Sequence, residues 1–373
     1  MVEERETTHD EVKTVMKPLD EHPAVRSALP FSYGFLLATL AISVLVATVL
    51  MGIRATSWSG ASFPGFFVLP NRVVASIGEP HWTGSKDGSL YQRTVVAVDG
   101  APVASSAEVY QRIGQRPSGT TFAVTLQQGS TTDTVSLRSM EFSWGDYSAI
   151  FGAYLATGVL YLMMGLLGAW LLPGTHLGRA LLFVGSTGGI YTLSAIGIYE
   201  PYGGFRIHAL AEAFFPAGVV YLGLVFPHER GSLVKPGAAV AYWISLGLAI
   251  PYQLLLDQPG AYSVMHAASE TYLGLASLGL TVSLVLHYAS ATDDDKPFLR
   301  SATAGVLLGL AVPAVVMTLS GLSGGQLPVN ICTATAFLFP LCFGYGIVRE
   351  CFAGEPSVKH AGLQGTPKQA GAL

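Results

Sequence analysis

The sequence has little charge and little cysteine, and both shortages narrow its class. Only 12% of the 373 residues are charged, whereas 50% are hydrophobic, a balance that is wrong for a soluble protein of this length. Cys332, Cys342 and Cys351 lie in or beside one apolar stretch and show neither a disulfide framework nor a metal-binding spacing, so we interpret them as small apolar residues. The formal net charge of −4 and the lack of a dense basic run argue against a nucleic-acid partner.

Motifs for catalysis are missing as well. His228-Glu229 is followed by Arg230 and does not form the His-Glu-x-x-His motif of intramembrane zinc proteases. Gly321-Leu322-Ser323-Gly324 matches the serine motif of rhomboid proteases, but no later span carries a His to act as base. No phosphate-binding Gly-Lys-Ser/Thr run and no cysteine nucleophile with a partner occur. We therefore expect no enzymatic activity and no cofactor.

Eight apolar stretches dominate the chain, and each is long enough to cross a bilayer, which takes about 20 residues per helix. They are residues 31–53, 149–172, 180–198, 207–226, 238–256, 266–287, 302–320 and 329–348. The third and fifth are the shortest or most polar. The sequence thus predicts an α-helical polytopic membrane protein of about eight spans, with the lipid bilayer as its first partner and a water-soluble insert at residues 60–145.

Basic residues in the loops predict the orientation, because Lys and Arg resist translocation. They occur before span one, in every second loop thereafter, and after span eight: Lys13, Lys17, Arg26, Arg179, Arg230, Lys235, Lys296, Arg300, Arg349, Lys359 and Lys368. The opposite loops hold only Arg206. If every span crosses, both termini are cytoplasmic and the insert is extracytoplasmic. Residues 1–30 are too acidic for a cleavable signal peptide, so residues 31–54 are expected to be an uncleaved anchor after a cytoplasmic tail.

The insert changes to short β-rich runs separated by turn signals. Thr94–Val98 is a β-branched run that ends at Asp99-Gly100, a strong turn dipeptide. Ser105 then starts a helix, with Glu108 three residues later in a capping-box spacing. Strand, tight turn and short helix in this order predict a small α+β domain.

The end of the insert predicts a hairpin, and the whole succession has a familiar order. Thr121–Leu126 and Thr132–Leu137 alternate in polarity around Gly129-Ser130. Together with Val98-Asp99-Gly100-Ala101-Pro102-Val103 and Pro117-Ser118-Gly119-Thr120, the insert resembles a bacterial PDZ domain. The resemblance implies binding of an extended peptide, such as a protein C-terminus, by strand addition at a sheet edge.

The resemblance is weakest at the loop that would hold the terminal carboxylate of a peptide. The nearest match to this Gly-rich apolar loop is Pro64-Gly65-Phe66-Phe67, which makes Phe66 and Phe67 candidate ligand contacts. Trp82, in a loop dense with turn formers, is expected to be exposed and to offer an aromatic platform. Two interpretations stay open: a peptide-binding domain, or a PDZ-like fold used for packing or for another ligand.

Ionisable groups inside the predicted spans mark a second candidate site, because such groups are costly in a membrane. His208 and Glu212 open the fourth span, and His266 and Glu270 open the sixth, each pair four residues apart and so on one helical face. Both spans begin at the outer surface, so the four side chains are expected at a similar depth beneath the insert. They predict a polar outer pocket for a small ligand, a proton or a metal such as zinc, or else pairs that bond each other or meet interfacial water.

The complete layout resembles the membrane input region of bacterial sensor histidine kinases and related signalling proteins. The residues that carry this resemblance are Ala97-Val98-Asp99-Gly100, Leu224-Val225-Phe226-Pro227 and the run from Phe339 to Arg349. Such proteins continue from the last span into cytoplasmic output domains, whereas residues 349–373 are rich in Gly, Pro, Lys and Gln and predict a disordered cytoplasmic tail. The resemblance therefore implies a sensor half that signals through a separate cytoplasmic partner, or a truncated relative.

We accordingly expect a non-catalytic sensor in the bacterial inner membrane. It would detect an extracytoplasmic peptide or small ligand through the PDZ-like domain and the outer pocket of the bundle at residues 149–348. Two other functions fit the same layout: a transporter or lipid-handling accessory protein, and a PDZ adaptor for periplasmic partners. A transporter is expected to show internal repetition, and none is visible.

Overall fold

The computed structural model describes residues 31–86, 89–199, 204–227, 229–292 and 296–353. The expected N-terminal tail, residues 1–30, and residues 354–373 of the expected C-terminal tail lie outside the described residues. The chain folds into a small β-rich insert and a larger helical bundle.

The insert follows helix α1 (Phe31–Ala55) and combines short strands with one helix. Its elements are β1 (Ser62–Phe63), β2 (Thr94–Val98), β3 (Ala101–Pro102), α2 (Ser106–Gly114), β4 (Thr121–Gln128), β5 (Thr131–Arg138) and β6 (Met140–Glu141). Four strands form an antiparallel sheet in the order β3-β2-β4-β5, and β1 pairs with β6. The α+β character that the sequence predicts is thus present.

Local turn chemistry explains the elements of the insert. Asp99 and Gly100 both have positive φ, 50° and 75°, which is the conformation of a type I′ turn and joins β2 to β3. Ser105 caps α2 by accepting a hydrogen bond from the Glu108 N–H. The Glu108 carboxylate accepts a hydrogen bond from the N–H of Ala104, one residue before the cap, so the predicted capping box is displaced by one position.

The bundle begins directly after the insert. Its elements are α3 (Trp144–Tyr147) with a π-helical turn (Ser148–Gly152), α4 (Ala153–Leu171), α5 (His176–Ser194), α6 (Phe205–Val225), α7 (Val234–Leu255), α8 (Pro259–Ser290), α9 (Lys296–Gly309), α10 (Ala311–Leu322), α11 (Thr333–Ala336) and α12 (Leu338–Ala353). The elements α9 and α10 form one segment that is interrupted at Leu310, three residues before Pro313.

Seven helical segments within the described residues are long and apolar enough to cross a membrane. They are Ala38–Trp58, Trp144–Leu171, Phe205–Val225, Gly231–Leu255, Pro259–Ser290, Leu299–Leu322 and Val329–Arg349. Each coincides with one of the eight stretches that the sequence predicts. By length and composition, the chain is a multi-pass membrane protein.

The remaining predicted span, the third, corresponds to α5, which is helical but not apolar enough to be among these seven. It carries His176, Arg179 and several Gly, Ser and Thr residues. It packs along both α4 and α6, and more than half of its residues are buried. A helix covered by its neighbours needs less lipid-facing apolar surface, which explains why its composition differs from that of the other helices.

Close approach of α4 and α5 depends on glycine. A Cβ on Gly185 would lie 2.5 Å from the Cα of Gly165, and a Cβ on Gly165 would lie 3.0 Å from the Cα of Gly185. The two backbones therefore touch at a point where no side chain fits. Small residues at such a contact let membrane helices approach closely.

The insert lies on the end of the bundle and is held there by polar and aromatic contacts. The Asn71 side-chain amide donates to the carbonyl oxygen of Leu256, at 2.9 Å. Phe67 stacks on Tyr199 with ring centroids 4.1 Å apart. Asn330 accepts from the N–H of Gly78 and donates to its carbonyl oxygen, at 3.1 and 3.2 Å. The insert therefore packs directly on the end of the bundle and is fixed there by several contacts.

Candidate functional site

Three of the four predicted ionisable residues form one buried group under the insert: Glu212, His266 and Glu270. Glu212 on α6 lies with Oε1 2.8 Å from Nδ1 of His266 on α8. The hydroxyl of Tyr252 on α7 donates to Oε2 of Glu212, at 2.9 Å. Glu212 is 1% exposed and His266 is 7% exposed. Side chains from three consecutive helices thus meet at a single ion pair.

Glu270 lies one helical turn beyond His266 and is less well satisfied. Its Oε1 is 3.2 Å from Nε2 of His266, which is within ion-pair distance. Neither of its carboxylate oxygens, however, has a hydrogen bond of good geometry within the described part of the chain, and both are buried. A buried carboxylate without hydrogen bonds is costly and attracts a proton or a positive partner.

His208 opens α6 as predicted but bonds to a different helix. Its Nδ1 lies 3.0 Å from the carbonyl oxygen of Tyr191 and 3.1 Å from Oγ of Ser194, both on α5. Its ring stacks on the Tyr191 ring with centroids 4.8 Å apart. Because a carbonyl oxygen can only accept, we assign the proton to Nδ1, which leaves Nε2 as an acceptor.

A cavity of about 100 Å³ lies between the insert and the bundle. His208 and His266 line it, whereas Glu212 and Glu270 lie behind the lining. The insert contributes Ser76 among its lining residues. Most of the lining is aliphatic or aromatic, so the expected polar pocket is instead an apolar cavity with polar groups at its edge.

The roof of the cavity is fastened by hydrogen bonds. Ser76 Oγ donates to the carbonyl oxygen of Gly325, at 2.6 Å, and accepts from the side-chain amide of Gln92, at 2.9 Å. The N–H of Val329 donates to the carbonyl oxygen of Ser76, at 2.8 Å. Ser76, Gln92 and Val329 all line the cavity. The same residues therefore close the cavity and hold the insert to the last membrane segment.

The prediction that Trp82 is an exposed platform is wrong. Trp82 is 0% exposed, and its indole N–H donates to Oδ1 of Asp146, at 2.7 Å. Asp146 also accepts from the backbone N–H of Ser143. This aromatic side chain has a buried polar partner and a structural role at the junction of the insert and α3.

Phe66 and Phe67 are also fully buried, which contradicts their prediction as ligand contacts. Phe66 belongs to the core of the insert, and Phe67 belongs to the aromatic cluster that joins the insert to the bundle. Apolar side chains in such positions are covered by packing and are not available to a peptide. Neither residue lines the cavity.

The strand edge beside this loop is already occupied. The hydroxyl of Tyr110, on α2, accepts from the N–H of Val68, at 2.6 Å, and donates to the carbonyl oxygen of Val68, at 3.0 Å. Trp58 packs edge-on against the Tyr110 ring, with centroids 4.7 Å apart. A peptide that added as a strand at Val68 would have to displace both contacts.

Several site residues were missed by sequence reasoning. Tyr252 completes the ion pair, and Tyr191, Tyr262 and Cys332 line the cavity. One signal was available: Tyr262 precedes His266 by four residues, in line with Glu270, and its ring stacks on His266 at 5.5 Å. The partners on α5 and α7 gave no comparable signal, because their contacts depend on how the helices pack.

Two further observations bear on the site. Within the described residues, no group of three or more His, Cys, Asp or Glu side chains has the arrangement of a metal site. No protein-family model matches the chain, and neither a curated protein nor a solved structure resembles it at a significant level.

Proposed function

We propose that this protein is a non-catalytic membrane sensor for a small, mostly apolar molecule, which it binds between the insert and the helical bundle. The observation that supports this most directly is the origin of the cavity walls. Ser76 and Gln92 come from the insert, His208 from α6 and His266 from α8. A molecule in the cavity touches both parts, so its binding energy can favour one relative position over another.

The size of the cavity limits the ligand. An apolar cavity of about 150 Å³ in another protein stays dry and takes up benzene. The cavity here, about 100 Å³, is on the same scale and fits a small ring or a branched alkyl group. The histidines at its edge add a polar contact that selects for one polar end on the ligand.

The cavity also borders the last membrane segment, which provides a route for a signal. Cys332, Thr333 and Ala336 line it, and the helix that follows, α12, runs on to Ala353. In the orientation that the basic loops favour, this helix ends on the cytoplasmic side, where a separate signalling partner would respond. The resemblance to sensor input regions agrees with this direction.

A peptide ligand for the insert has less support than a small molecule. The N–H and C=O groups of Val68 are both bonded to Tyr110, so the edge expected to receive a peptide strand is closed. Replacing Tyr110 with Ala would free both groups. If wild-type protein binds carboxy-terminal peptides, and does so as tightly as Tyr110→Ala, the result would support the peptide-sensor hypothesis instead.

Cys332 lines the cavity and its thiol is buried, so its reaction with a maleimide requires the cavity to open and offers a test of ligand binding. We would use full-length protein in lipid nanodiscs, with Cys342→Ser and Cys351→Ser, and follow the reaction of Cys332 with N-ethylmaleimide. The neutral alcohol 3,3-dimethylbutan-1-ol should slow this reaction in a saturable way, because it would fill the cavity beside the thiol.

Two matched variants on α10 complete the test. Met317 lines the cavity, whereas Val315 is exposed on the outer face of the same helix. Met317→Trp should fill the cavity and abolish protection by the alcohol, and Val315→Trp should leave it unchanged. Absence of saturable protection in the wild type, or the same protection in both variants, would reject the proposal.

A transporter is the second candidate, and one observation favours it. The segment formed by α9 and α10 is interrupted at Leu310, and Leu310 and Pro313 both line the cavity. Interrupted helices beside a central cavity are common in transporters. Uptake of the bound molecule into proteoliposomes, driven by its own gradient, would support transport, and binding without uptake would support sensing.

A further inference from the structure

The cavity wall is rich in aromatic rings. Five aromatic side chains contribute to the lining: Tyr154, Tyr161, Tyr191, Phe215 and Tyr262. Aromatic faces carry negative potential and attract cations, most strongly where water is excluded. Among the lining residues that the structure describes, none is Lys or Arg. The wall itself therefore favours an apolar molecule that carries positive charge over one that carries negative charge.

The buried group beside the cavity holds two acidic side chains and one basic side chain. Glu212 and Glu270 flank His266, at 2.8 and 3.2 Å. With both carboxylates ionised and the imidazole protonated, this group carries one net negative charge. At low dielectric the field of this charge reaches the cavity with little attenuation.

Glu270 is the carboxylate of this group that lacks hydrogen-bond partners. Glu212 accepts hydrogen bonds from Tyr252 and from His266, whereas both oxygens of Glu270 lack a hydrogen bond within the described residues. Buried charges are normally paired and hydrogen-bonded. A cation in the adjacent cavity would supply part of the missing interaction.

We propose that the ligand is an organic cation, a small alkyl or aryl group that bears an ammonium centre; this rests on the proposed function and deepens it. Protonated amines and quaternary ammonium compounds share this chemistry. Nε2 of His208, left as an acceptor by the bond from Nδ1 to the Tyr191 carbonyl oxygen, can take an N–H from a protonated amine. A quaternary ammonium compound has no N–H to donate and would rely on the rings and on the charge of the buried carboxylates.

Choline and 3,3-dimethylbutan-1-ol are suitable probes, because they have the same shape and differ only in a charged nitrogen or a neutral carbon. Their affinities would be measured as protection of Cys332 in full-length protein, as above. Wild-type protein should bind choline at least about tenfold more tightly than the alcohol. The anion 3,3-dimethylbutanoate should bind more weakly than either, and ethyldimethylammonium would separate protonated from quaternary amines.

Variants then test the origin of the preference. Glu270→Gln should reduce the ratio of choline to alcohol affinity to within about twofold, because it removes the uncompensated charge without changing the cavity. Glu141→Gln, an exposed site on β6, should keep the wild-type ratio. If Glu270→Gln does not fold, Glu212→Gln provides a second removal of charge from the same group.

The outcomes separate the two proposals. Equal binding of choline and the alcohol to wild-type protein would overturn the cation proposal and leave the small-molecule sensor intact. A preference for choline that survives both charge-removing variants would overturn the role of the buried carboxylates. If neither probe protects Cys332, the proposed function itself is wrong.

Discussion

Oε1 of Glu212 lies 2.8 Å from Nδ1 of His266, and this contact joins α6 to α8 across the helix that lies between them in the sequence. Tyr252, on that intervening helix, donates to the other oxygen of Glu212. The three side chains are buried. One ion pair and one hydrogen bond therefore fix the relative depth of three helices at the end of the bundle that faces the insert.

Removal of the Tyr252 hydroxyl should weaken this connection. Tyr252→Phe leaves Oε2 of Glu212 buried without its donor, at a cost of about 1–3 kcal/mol of unfolding free energy. Thermal unfolding in detergent should show a lower Tm. Tyr345→Phe is the matched control, because Tyr345 is 61% exposed on α12 and should retain the wild-type Tm. Equal Tm values for the two variants would contradict the importance of the buried hydroxyl.

Close packing of α4 against α5 makes a second prediction. Gly185→Ala places a Cβ 2.5 Å from the Cα of Gly165, so the helices must separate, at a cost of about 1–3 kcal/mol. Gly247→Ala, on α7, meets nothing within 4 Å and should be neutral or stabilising, because Ala favours helix. The Tm of the two variants in the same detergent is the measurement. A stable Gly185→Ala protein would show that the contact is looser than described.

Asp99 predicts a pH dependence confined to the insert. The N–H of Ala123, at 2.8 Å from Oδ1, is the largest influence that holds the pKa of Asp99 below its ordinary value, and Arg116 acts in the same direction against a partial effect of burial. Because the folded-state pKa is the lower one, the stabilisation is complete above the unfolded pKa of about 4 and is lost as pH falls through the folded-state pKa. The group is largely exposed, so the effect should stay below about 1 kcal/mol.

Hydrogen exchange at the Ala123 amide measures this effect. The opening free energy, corrected for intrinsic exchange, should decrease between about pH 6 and about pH 3. Asp99→Asn should remove the change, and Glu141→Gln should not. A wild-type opening free energy that is constant over this range would contradict the assignment.

Orientation can be tested with single cysteines in a background that lacks the native ones. Thr131 is exposed in the insert, and Arg230 is exposed between α6 and α7. An impermeant maleimide should label Thr131→Cys in intact cells and Arg230→Cys only after permeabilisation, because the basic loops are expected inside. The reverse pattern would invert the topology and place the insert in the cytoplasm.

Much of the fold was predictable from local sequence. The turn at Asp99-Gly100 needs two residues that tolerate positive φ, and Ser105 supplies an oxygen for the first turn of α2. Long apolar stretches indicate membrane helices whatever their neighbours are. Such features depend on a few adjacent residues and can be read without knowledge of the packing.

What failed depends on contacts between distant residues. Trp82 looked exposed because its loop is polar, but its partner Asp146 lies 64 positions away. Residues 180–198 were predicted as a span like the others, and the sequence did not reveal that α5 is covered by α4 and α6 and differs from the seven apolar helices. His208 and His266 both line the cavity, yet His208 bonds to α5 and not to the Glu212–His266 pair, and no local pattern reveals which neighbour a helix will face.

Asn330 holds both the N–H and the carbonyl oxygen of Gly78, in the manner of a neighbouring strand. The chain runs from Asn330 through α11 into α12 with no long loop between them. Any tilt of the insert must therefore either break these two hydrogen bonds or move the final helix as well. The β-rich insert and the final membrane segment are in this way joined so that neither can shift alone while both bonds hold.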